Sequence, residues 1–194
     1  MYLPKHYRRL KRAPQVILPK DIGIIFAYSG VNRNSSCIDA GTGSGWLAIS
    51  LARVAKRVVS YEIREDFAKL AERNRINEGL DNLEIKNLDF KAKVEEKNFD
   101  LVVLDMPEAH NAIKNAKGAL RDGGMLVGYM PQMEQVKKFV SKMERMKFTG
   151  IITFEVILRD MLVRKEGMRP STKGVWHTAY LVFGEKTQKI QIKN

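Results

Sequence analysis

A glycine-rich turn between two short apolar runs constrains this chain more than any other feature. The first run ends in an acid, Asp39, and the second, residues 57–62, also ends in an acid. Alternating glycines follow the first run, at Gly41, Gly43 and Gly45. Glycine is needed where the backbone has a positive φ or approaches a ligand too closely for a Cβ atom. An acid at the tip of the second strand can bind both hydroxyls of a ribose. The spacing therefore predicts a site for a nucleoside cofactor on a strand–turn–helix–strand unit.

The position of the third glycine indicates which cofactor to expect. A dinucleotide fingerprint reads G-x-G-x-x-G, whereas Gly45 comes one residue earlier. Asp39 would repel a pyrophosphate and would attract a cation. With Glu62 as the distal acid, the pattern resembles motifs I and II of the S-adenosylmethionine-dependent methyltransferases, whose cofactor is a sulfonium cation. An NAD site and a glycine-rich turn without a ligand are the alternatives.

The chain is strongly basic, since 34 Lys and Arg against 22 Asp and Glu give a net charge of +12. Residues 1–20 contain basic side chains and no acid, and a second basic region lies between residues 137 and 173. Such an excess attracts polyanions and releases counterions on binding. A lysine-rich solvated surface explains the same charge without any nucleic acid. Charge alone leaves RNA binding and a solvated surface as alternatives.

Length and composition exclude several classes of protein. The 194 residues fit one domain, with 44% hydrophobic residues. No apolar run approaches the ~20 residues that span a bilayer, and the basic N-terminus lacks the apolar segment of a secretory signal. One cysteine, Cys37, excludes an intrachain disulfide, and the three histidines are scattered. We expect a cytoplasmic protein without a metal or a membrane partner, comprising a basic arm (1–12), one domain (13–185) and a basic tail (186–194).

Strand and helix patterns alternate along the domain. Asp21 is expected to cap a helix at 22–28, and residues 159–173 are expected to form a long loop. The predicted strands are 36–39, 57–62, 83–86, 99–105, 125–129, 151–158 and 175–183. The predicted helices between them are 46–55, 64–78, 109–120 and 133–146. Alternation of this kind predicts an α/β, Rossmann-like fold, with a mostly parallel seven-stranded sheet and helices on both faces.

Four acids fall at or just after the ends of predicted strands: Asp39, Glu62, Asp89 and Asp105. Ligands of such folds bind at the carboxyl edge of the sheet. Glu62 is predicted to bind the ribose, and Asp89 to accept from the adenine amino group. Asp105 is predicted to lie where the substrate enters. Each acid taken alone is also compatible with an ordinary helix cap or loop residue.

The resemblance becomes narrower when motifs along residues 12–185 are taken together. They are Gln15 with Pro19-Lys20-Asp21, the loop 39–45, Ser60-Tyr61-Glu62, Leu104-Asp105-Met106-Pro107, Gly128-Tyr129-Met130-Pro131 with Gln135-Val136, and Arg169-Pro170 with His177-Thr178-Ala179-Tyr180-Leu181-Val182. In this order they resemble the tRNA (adenine-N1)-methyltransferases that modify the T loop. We expect the chain to depart from that family by beginning almost at the catalytic domain, without the family's small N-terminal β domain. It also has Leu18 where an aromatic residue is usual, and no tryptophan follows Pro107.

The resemblance implies a class I methyltransferase that methylates N1 of an adenosine at tRNA position 57 or 58. The implied S-adenosyl-L-methionine contacts are Gln15, Asp39, Gly41, Gly43, Ser44, Gly45, Glu62, Asp89 and Asp105. The expected catalytic residues are Asp105, which accepts from the adenine amino group, and Tyr129, which borders the flipped base or merely packs at the strand end. The candidate RNA contacts are Arg8, Arg9, Arg12, Lys20 and Arg169. His177 is expected to be a hydrogen-bonded structural residue.

Three further expectations concern partners and alternatives. The resemblance implies a homo-oligomer, a tetramer or a dimer. Short relatives of this fold act on small metabolites or corrinoid precursors, which remains an alternative acceptor. A non-catalytic RNA-binding partner subunit is a second alternative, but such subunits usually lose the glycine loop and acids that this chain keeps.

Overall fold

A computed structural model describes residues 3–13 and 15–187. The main sheet has seven strands: β1 (Ser36–Ala40), β2 (Arg57–Tyr61), β3 (Leu83–Lys86), β4 (Phe99–Leu104), β5 (Leu120–Met130), β6 (Phe148–Glu155) and β9 (Tyr180–Lys186). Their order across the sheet is β3-β2-β1-β4-β5-β9-β6, and the remaining two strands of the described ranges, β7 (Met161–Arg164) and β8 (Gly167–Pro170), form a separate hairpin. Strands β1 to β5 are parallel, and β9 is antiparallel to both β5 and β6. The predicted Rossmann-like α/β fold is confirmed.

Helices cover both faces of the sheet. They are α1 (Lys5–Arg9), α2 (Pro19–Ser29), α3 (Trp46–Ala52), α4 (Glu65–Asn77), α5 (Ile113–Ala119) and α6 (Met133–Arg145), with a 3₁₀ helix at Ala109–Ala112. Neighbouring strand residues point to opposite faces, so Cys37 belongs to the core under α1 to α3, while Ile38 belongs to the core under α5 and α6. None of the helices in the described ranges is long and apolar enough to cross a membrane.

The parallel register brings the carboxyl ends of the central strands to one edge of the sheet. Ala40 of β1 pairs with Tyr61 of β2 and with Leu104 of β4. The amide of Asp105 donates to the carbonyl of Ala40 over 2.8 Å, so the chain leaves β4 beside the glycine loop. The residues that follow β1, β2 and β4 are therefore neighbours in space.

The predicted cap at Asp21 is wrong, because helix α2 begins earlier, at Pro19. Proline is favoured at the first helical position, where its missing N–H has no helical partner to lose. Asp21 thus lies inside the first turn, where its side chain is buried. Part of the predicted basic arm is helical: α1 buries Tyr7, whose hydroxyl is 2.7 Å from Ser50 Oγ.

The segment 159–173, predicted as a loop, contains a hairpin of β7 (Met161–Arg164) and β8 (Gly167–Pro170). Strand β5 begins five residues earlier than predicted, at Leu120, which pairs with Phe99 of β4. Residues 121–124, the expected turn, are an irregularity within the strand, and regular pairing resumes at Met125 opposite Leu101. Lys186, predicted to open the tail, is the last residue of β9. The rest of the predicted tail, 188–194, lies outside the described residues, as do residues 1, 2 and 14.

Candidate active site

A cavity of about 480 Å³ opens at the carboxyl edge of the sheet. Most of the predicted cofactor and catalytic residues line it: Gln15, Gly41, Gly43, Ser44, Glu62, Asp89, Asp105 and Tyr129. Asp39 and Gly45 do not line it. The structure therefore brings together residues that are up to 114 positions apart in the sequence, from Gln15 to Tyr129.

The glycine loop forms the floor of the cavity and is held in place by backbone bonds. The amides of Gly41 and Thr42 donate to the carbonyl of Tyr61 at 2.9 and 3.1 Å. Gly41 has a φ of +103°, and a Cβ atom added to it would lie 1.8 Å from the carbonyl oxygen of Asp105. Position 41 therefore tolerates only glycine, because the loop and the end of β4 approach each other directly.

Glu62 is fixed by the loop that it faces. Its Oε2 accepts from the amide of Gly43 at 2.8 Å, and its Oε1 accepts from the amide of Arg64 at 2.9 Å. Each carboxylate oxygen has a second lone pair, so Glu62 can still accept from two hydroxyl groups. This side chain lines the cavity in an orientation set before any ligand arrives.

The neighbouring part of the cavity suits a flat apolar group with one polar edge. Ile63 and Leu88 line it and are 66% and 56% exposed, unusually high for large apolar side chains. Asp89 Oδ1 accepts from the amide of Lys91 at 2.8 Å, which leaves its other oxygen for a ligand donor. Sequence reasoning missed both apolar residues. The available signal was their position next to the predicted acids Glu62 and Asp89.

Asp39 supports the loop from below instead of facing the cavity. It is 1% exposed and its Oδ2 accepts from Ser60 Oγ at 2.7 Å. Ser60 Oγ in turn lies 2.6 Å from Thr42 Oγ1. Burial raises the pKa of Asp39 to about 7, against the lowering effect of the Ser60 bond and with a further increase from Glu62. The expectation that Asp39 sits in the loop and meets the cofactor is not met by this geometry.

Asp105 presents an unpaired carboxyl to the cavity. Among the described residues, none hydrogen-bonds its side chain, and the residue is partly exposed because it faces the cavity. Burial of the carboxyl, followed by the charges of Asp39 and Glu62, raises the pKa of Asp105 to about 7. A bound cation would lower that pKa again, because opposite charge favours the ionised form.

Tyr129, at the end of β5, forms the wall next to Asp105. Its hydroxyl donates to Asp21 Oδ2 at 3.3 Å, and the residue is 9% exposed. Burial, and then the charge of Asp21, raises the pKa of the Tyr129 phenol, so it stays protonated at neutral pH. Tyr129 therefore both borders the cavity and packs at the strand end, the two readings left open by the sequence.

Lys20 does not belong to an RNA-binding surface, so that prediction is wrong. Its side chain is 2% exposed, because three acceptors surround the ammonium group. They are Asp21 Oδ1 at 2.8 Å, the Val156 carbonyl at 2.7 Å and Thr178 Oγ1 at 2.7 Å. The other candidate RNA contacts, Arg8, Arg9, Arg12 and Arg169, are exposed.

His177 has the structural role expected of it. Its Nδ1 is 2.6 Å from Glu155 Oε1, and its Nε2 is 2.9 Å from the carbonyl of Pro131. Both partners are acceptors, so the doubly protonated ring satisfies both contacts. The Glu155 bond, followed by the Pro131 bond, raises the pKa of His177 accordingly.

The residues present fit a methyl-donating nucleoside cofactor. Two buried polar atoms in cavity-lining residues, Ser44 Oγ and Trp46 Nε1, have no hydrogen-bond partner in the described part of the chain. Buried polar groups are normally paired, so these are candidate contacts for a ligand. Trp46 was missed by sequence reasoning, since an apolar residue opening a helix gives no polar signal.

This strand order, with the glycine loop after β1 and an acid after β2, defines a class I methyltransferase. The family described as "tRNA methyltransferase complex GCD14 subunit" matches residues 7–177. The chain belongs to this family. Membership of the class I methyltransferases implies use of S-adenosylmethionine.

Individual relatives extend over most of the chain. The tRNA (adenine(57)-N(1)/adenine(58)-N(1))-methyltransferase TrmI of Methanocaldococcus jannaschii is 36% identical, covering 90% of this chain and 72% of the relative. The tRNA (adenine(58)-N(1))-methyltransferase TrmI of Thermus thermophilus is 33% identical, covering 93% and 72%.

Two solved structures share the fold closely. That of tRNA (m1A58) methyltransferase TrmI from Aquifex aeolicus has a TM-score of 0.89 at 30% identity, and covers 97% of this chain and 78% of that one. That of a SAM-dependent O-methyltransferase from Thermotoga maritima has a TM-score of 0.89 at 34% identity, covering 95% and 71%. A precorrin decarboxylase structure at 17% identity shows the fold alone, so it gives no support to a corrinoid acceptor.

Proposed function

We propose that this protein transfers a methyl group from S-adenosylmethionine to N1 of an adenosine in tRNA. The observation that carries the proposal is the unpaired Asp105 carboxyl, which shares one cavity with Tyr129 and with the cofactor acids Glu62 and Asp89. The names of the relatives supply the acceptor, N1 of adenine 57 or 58. A T-loop adenosine is accordingly the proposed target.

The cofactor's parts match the polar groups of the cavity. Glu62 would accept from the two ribose hydroxyls, and Asp89 from the adenine amino group, with Ile63 and Leu88 against the adenine ring. When bound, the cofactor supplies an activated methyl group on a sulfonium centre. Asp39 and Gly45 act indirectly, because they shape the loop without lining the cavity.

The acceptor adenine is proposed to meet Asp105 and Tyr129. Its N1 lies on the Watson–Crick edge, so the nucleotide must leave its stack to react. Methylation at N1 places positive charge on the ring. The Asp105 carboxylate would accept from the exocyclic amino group and stabilise that charge where it develops, while the Tyr129 ring would border the base.

Nucleoside analysis tests the proposal directly. Unmodified tRNA is incubated with protein and isotopically labelled S-adenosylmethionine, digested to nucleosides and examined by mass spectrometry. The expected product is labelled 1-methyladenosine, lost when the target adenosine is replaced by another nucleoside. Label in a different nucleoside, or in no RNA at all, would refute the proposed acceptor.

The exposed arginines of α1 and its flank are proposed to contact tRNA phosphates. Changing Arg8, Arg9 and Arg12 together to Gln should reduce the slope of log affinity against log salt by about one for each phosphate that is no longer neutralised. Affinity is measured by filter binding at several salt concentrations. Arg121→Gln is the matched control, since Arg121 pairs with Asp100 at the amino end of β4. An unchanged slope in the triple variant would exclude this surface.

A homo-oligomer is proposed as well. Large apolar side chains are exposed in and around the β7–β8 hairpin: Ile157, Leu158, Met161, Val163, Met168, Val175 and Trp176. Surfaces of this kind mark interaction sites. The neighbouring edge strand β6 carries few charges, and we propose that it pairs with a second copy of this chain. Light scattering should give a mass above the 22.2 kDa chain, reduced by Val163→Lys with Met168→Lys. A monomeric wild type would contradict the proposed oligomer.

A cytoplasmic location, where tRNA is modified, remains a prediction.

A further inference from the structure

A buried ion pair lies directly behind the Tyr129 wall of the cavity. Asp21 is 0% exposed, and the Lys20 side chain beside it is 2% exposed. Asp21 Oδ1 accepts from Lys20 Nζ at 2.8 Å, while Oδ2 accepts from Thr178 Oγ1 at 2.9 Å and from the Tyr129 hydroxyl at 3.3 Å. Both oxygens of the carboxylate are thus used by named donors.

Stability alone is a weak explanation for this pair. Taking two charges out of water carries a large desolvation cost, and well-packed apolar residues often replace buried pairs without loss. What apolar residues do not supply is a fixed direction for each polar group. The Lys20–Asp21 pair, completed by Thr178, holds an acceptor at one defined point behind the cavity wall.

The same pair joins three parts of the chain. Lys20 Nζ also donates to the carbonyl of Val156, which follows β6, and to Thr178, which precedes β9. The two ends of the segment containing the β7–β8 hairpin therefore meet at the start of α2. Tyr129 is the member of this network that reaches the cavity.

The bond to Asp21 determines what Tyr129 can offer a substrate. A phenol has one proton to donate, and that proton is directed to the Asp21 carboxylate. The lone pairs of the Tyr129 oxygen are then left as acceptors, and the ring is held at the strand end. A phenol free to rotate would present its donor or its acceptor side at random, and would place the ring less closely.

We infer that Asp21 is a positioning residue for methyl transfer: held by Lys20 and Thr178, it orients the Tyr129 phenol that borders the acceptor base. The inference rests on the proposed function and adds a residue outside the cavity to the machinery. It does not require Asp21 to contact the cofactor or the acceptor.

A double-mutant cycle tests the coupling. Tyr129→Phe removes the hydroxyl and leaves the Lys20–Asp21 pair intact, so it should fold normally. Single-turnover methylation of tRNA should fall roughly tenfold in it, the size of one oriented hydrogen bond, with cofactor affinity unchanged. Asp21→Asn should slow the same step, and the double variant should be no slower than the slower single variant. Rates that multiply instead would show that the two residues act independently and overturn the inference.

A spectroscopic measurement separates positioning from general destabilisation. In protein labelled with ¹³Cζ-tyrosine, the Tyr129 signal is assigned by its absence in Tyr129→Phe. It should move in Asp21→Asn and stay in place in Ile113→Val, a core variant of α5 that does not line the cavity. A Tyr129 signal unmoved by Asp21→Asn would overturn the inference. A wild type that forms no 1-methyladenosine would instead refute the proposed function, a distinct result.

Discussion

Replacing Asp105 by Ala is expected to slow methyl transfer roughly 10²–10³-fold, the scale seen when one electrostatic stabiliser is lost. Affinity for S-adenosylmethionine should change little. The carboxyl has no hydrogen-bond partner among the described residues, so its removal breaks no contact of the fold. The charge that it stabilises appears only as N1 attacks, and such interactions affect the rate and not the binding of the cofactor.

Three measurements on one preparation examine this expectation: single-turnover rate, cofactor affinity by calorimetry, and melting temperature. Asp105→Asn is the matched variant, since it keeps the shape and an acceptor oxygen but loses the charge. Burial, Asp39 and Glu62 raise the pKa of Asp105 to about 7 in the unliganded protein, and the cationic cofactor lowers it again. The wild-type single-turnover rate should therefore fall as the pH is lowered below about 7 and the carboxyl protonates. Asp105→Asn should lack this fall. A destabilised but fully active alanine variant would show that Asp105 only supports the turn.

The sequence predicted those parts of the site that depend on local backbone requirements. Gly41 needs a positive φ and the absence of a Cβ atom, and both needs are visible as a glycine of fixed spacing. The apolar runs of β1, β2 and β4 have the composition of strands buried on both faces. The carboxyl ends of parallel strands lie at the same edge of a sheet, so these strand assignments also predicted that Glu62, Asp89 and Asp105 lie close together.

The sequence could not predict where a polar side chain would point. Lys20 was grouped with the exposed basic residues by charge, but two of its three acceptors, Val156 and Thr178, come from residues more than 130 positions away. Asp39 precedes the glycine loop, yet the pleat of β1 turns it away from the cavity and towards Ser60. Contacts with residues distant in the sequence determine where both side chains point, and hydrophobic periodicity carries no information about such contacts.

The β7–β8 hairpin was missed for a related reason. Its strands are four residues each, and neither shows the alternation of a half-buried strand, because both are largely exposed. Arg164 and Gly167 pair across a short turn. The composition of this segment is the same as that expected of a basic loop, so it does not predict the pairing. Exposed strands carry the weakest pattern, since burial on one face is what generates alternation.

Replacing Glu62 is expected to have the second large effect, a loss of affinity for the cofactor. Glu62→Ala is expected to weaken S-adenosylmethionine binding by about 2–3 kcal/mol, the size of lost hydrogen bonds to a charged group. The structure adds a second source of loss, because Glu62 also accepts from the amides of Gly43 and Arg64 and so holds the loop. Calorimetry of cofactor binding gives the total, with Glu84→Ala, an exposed carboxylate outside the cavity, as the control.

A cofactor analogue separates the ribose contact from the support of the loop. Wild-type protein should bind a 3′-deoxy analogue of S-adenosylmethionine more weakly than the parent cofactor, because one hydroxyl donor to Glu62 is missing. Glu62→Ala should bind the two compounds about equally, since the acceptor itself is gone. If the analogue loses as much affinity in Glu62→Ala as in the wild type, then Glu62 does not contact the ribose, and its effect on binding arises from Gly43 and the loop alone. Equal binding of the parent cofactor by wild type and Glu62→Ala would remove Glu62 from the cofactor site altogether.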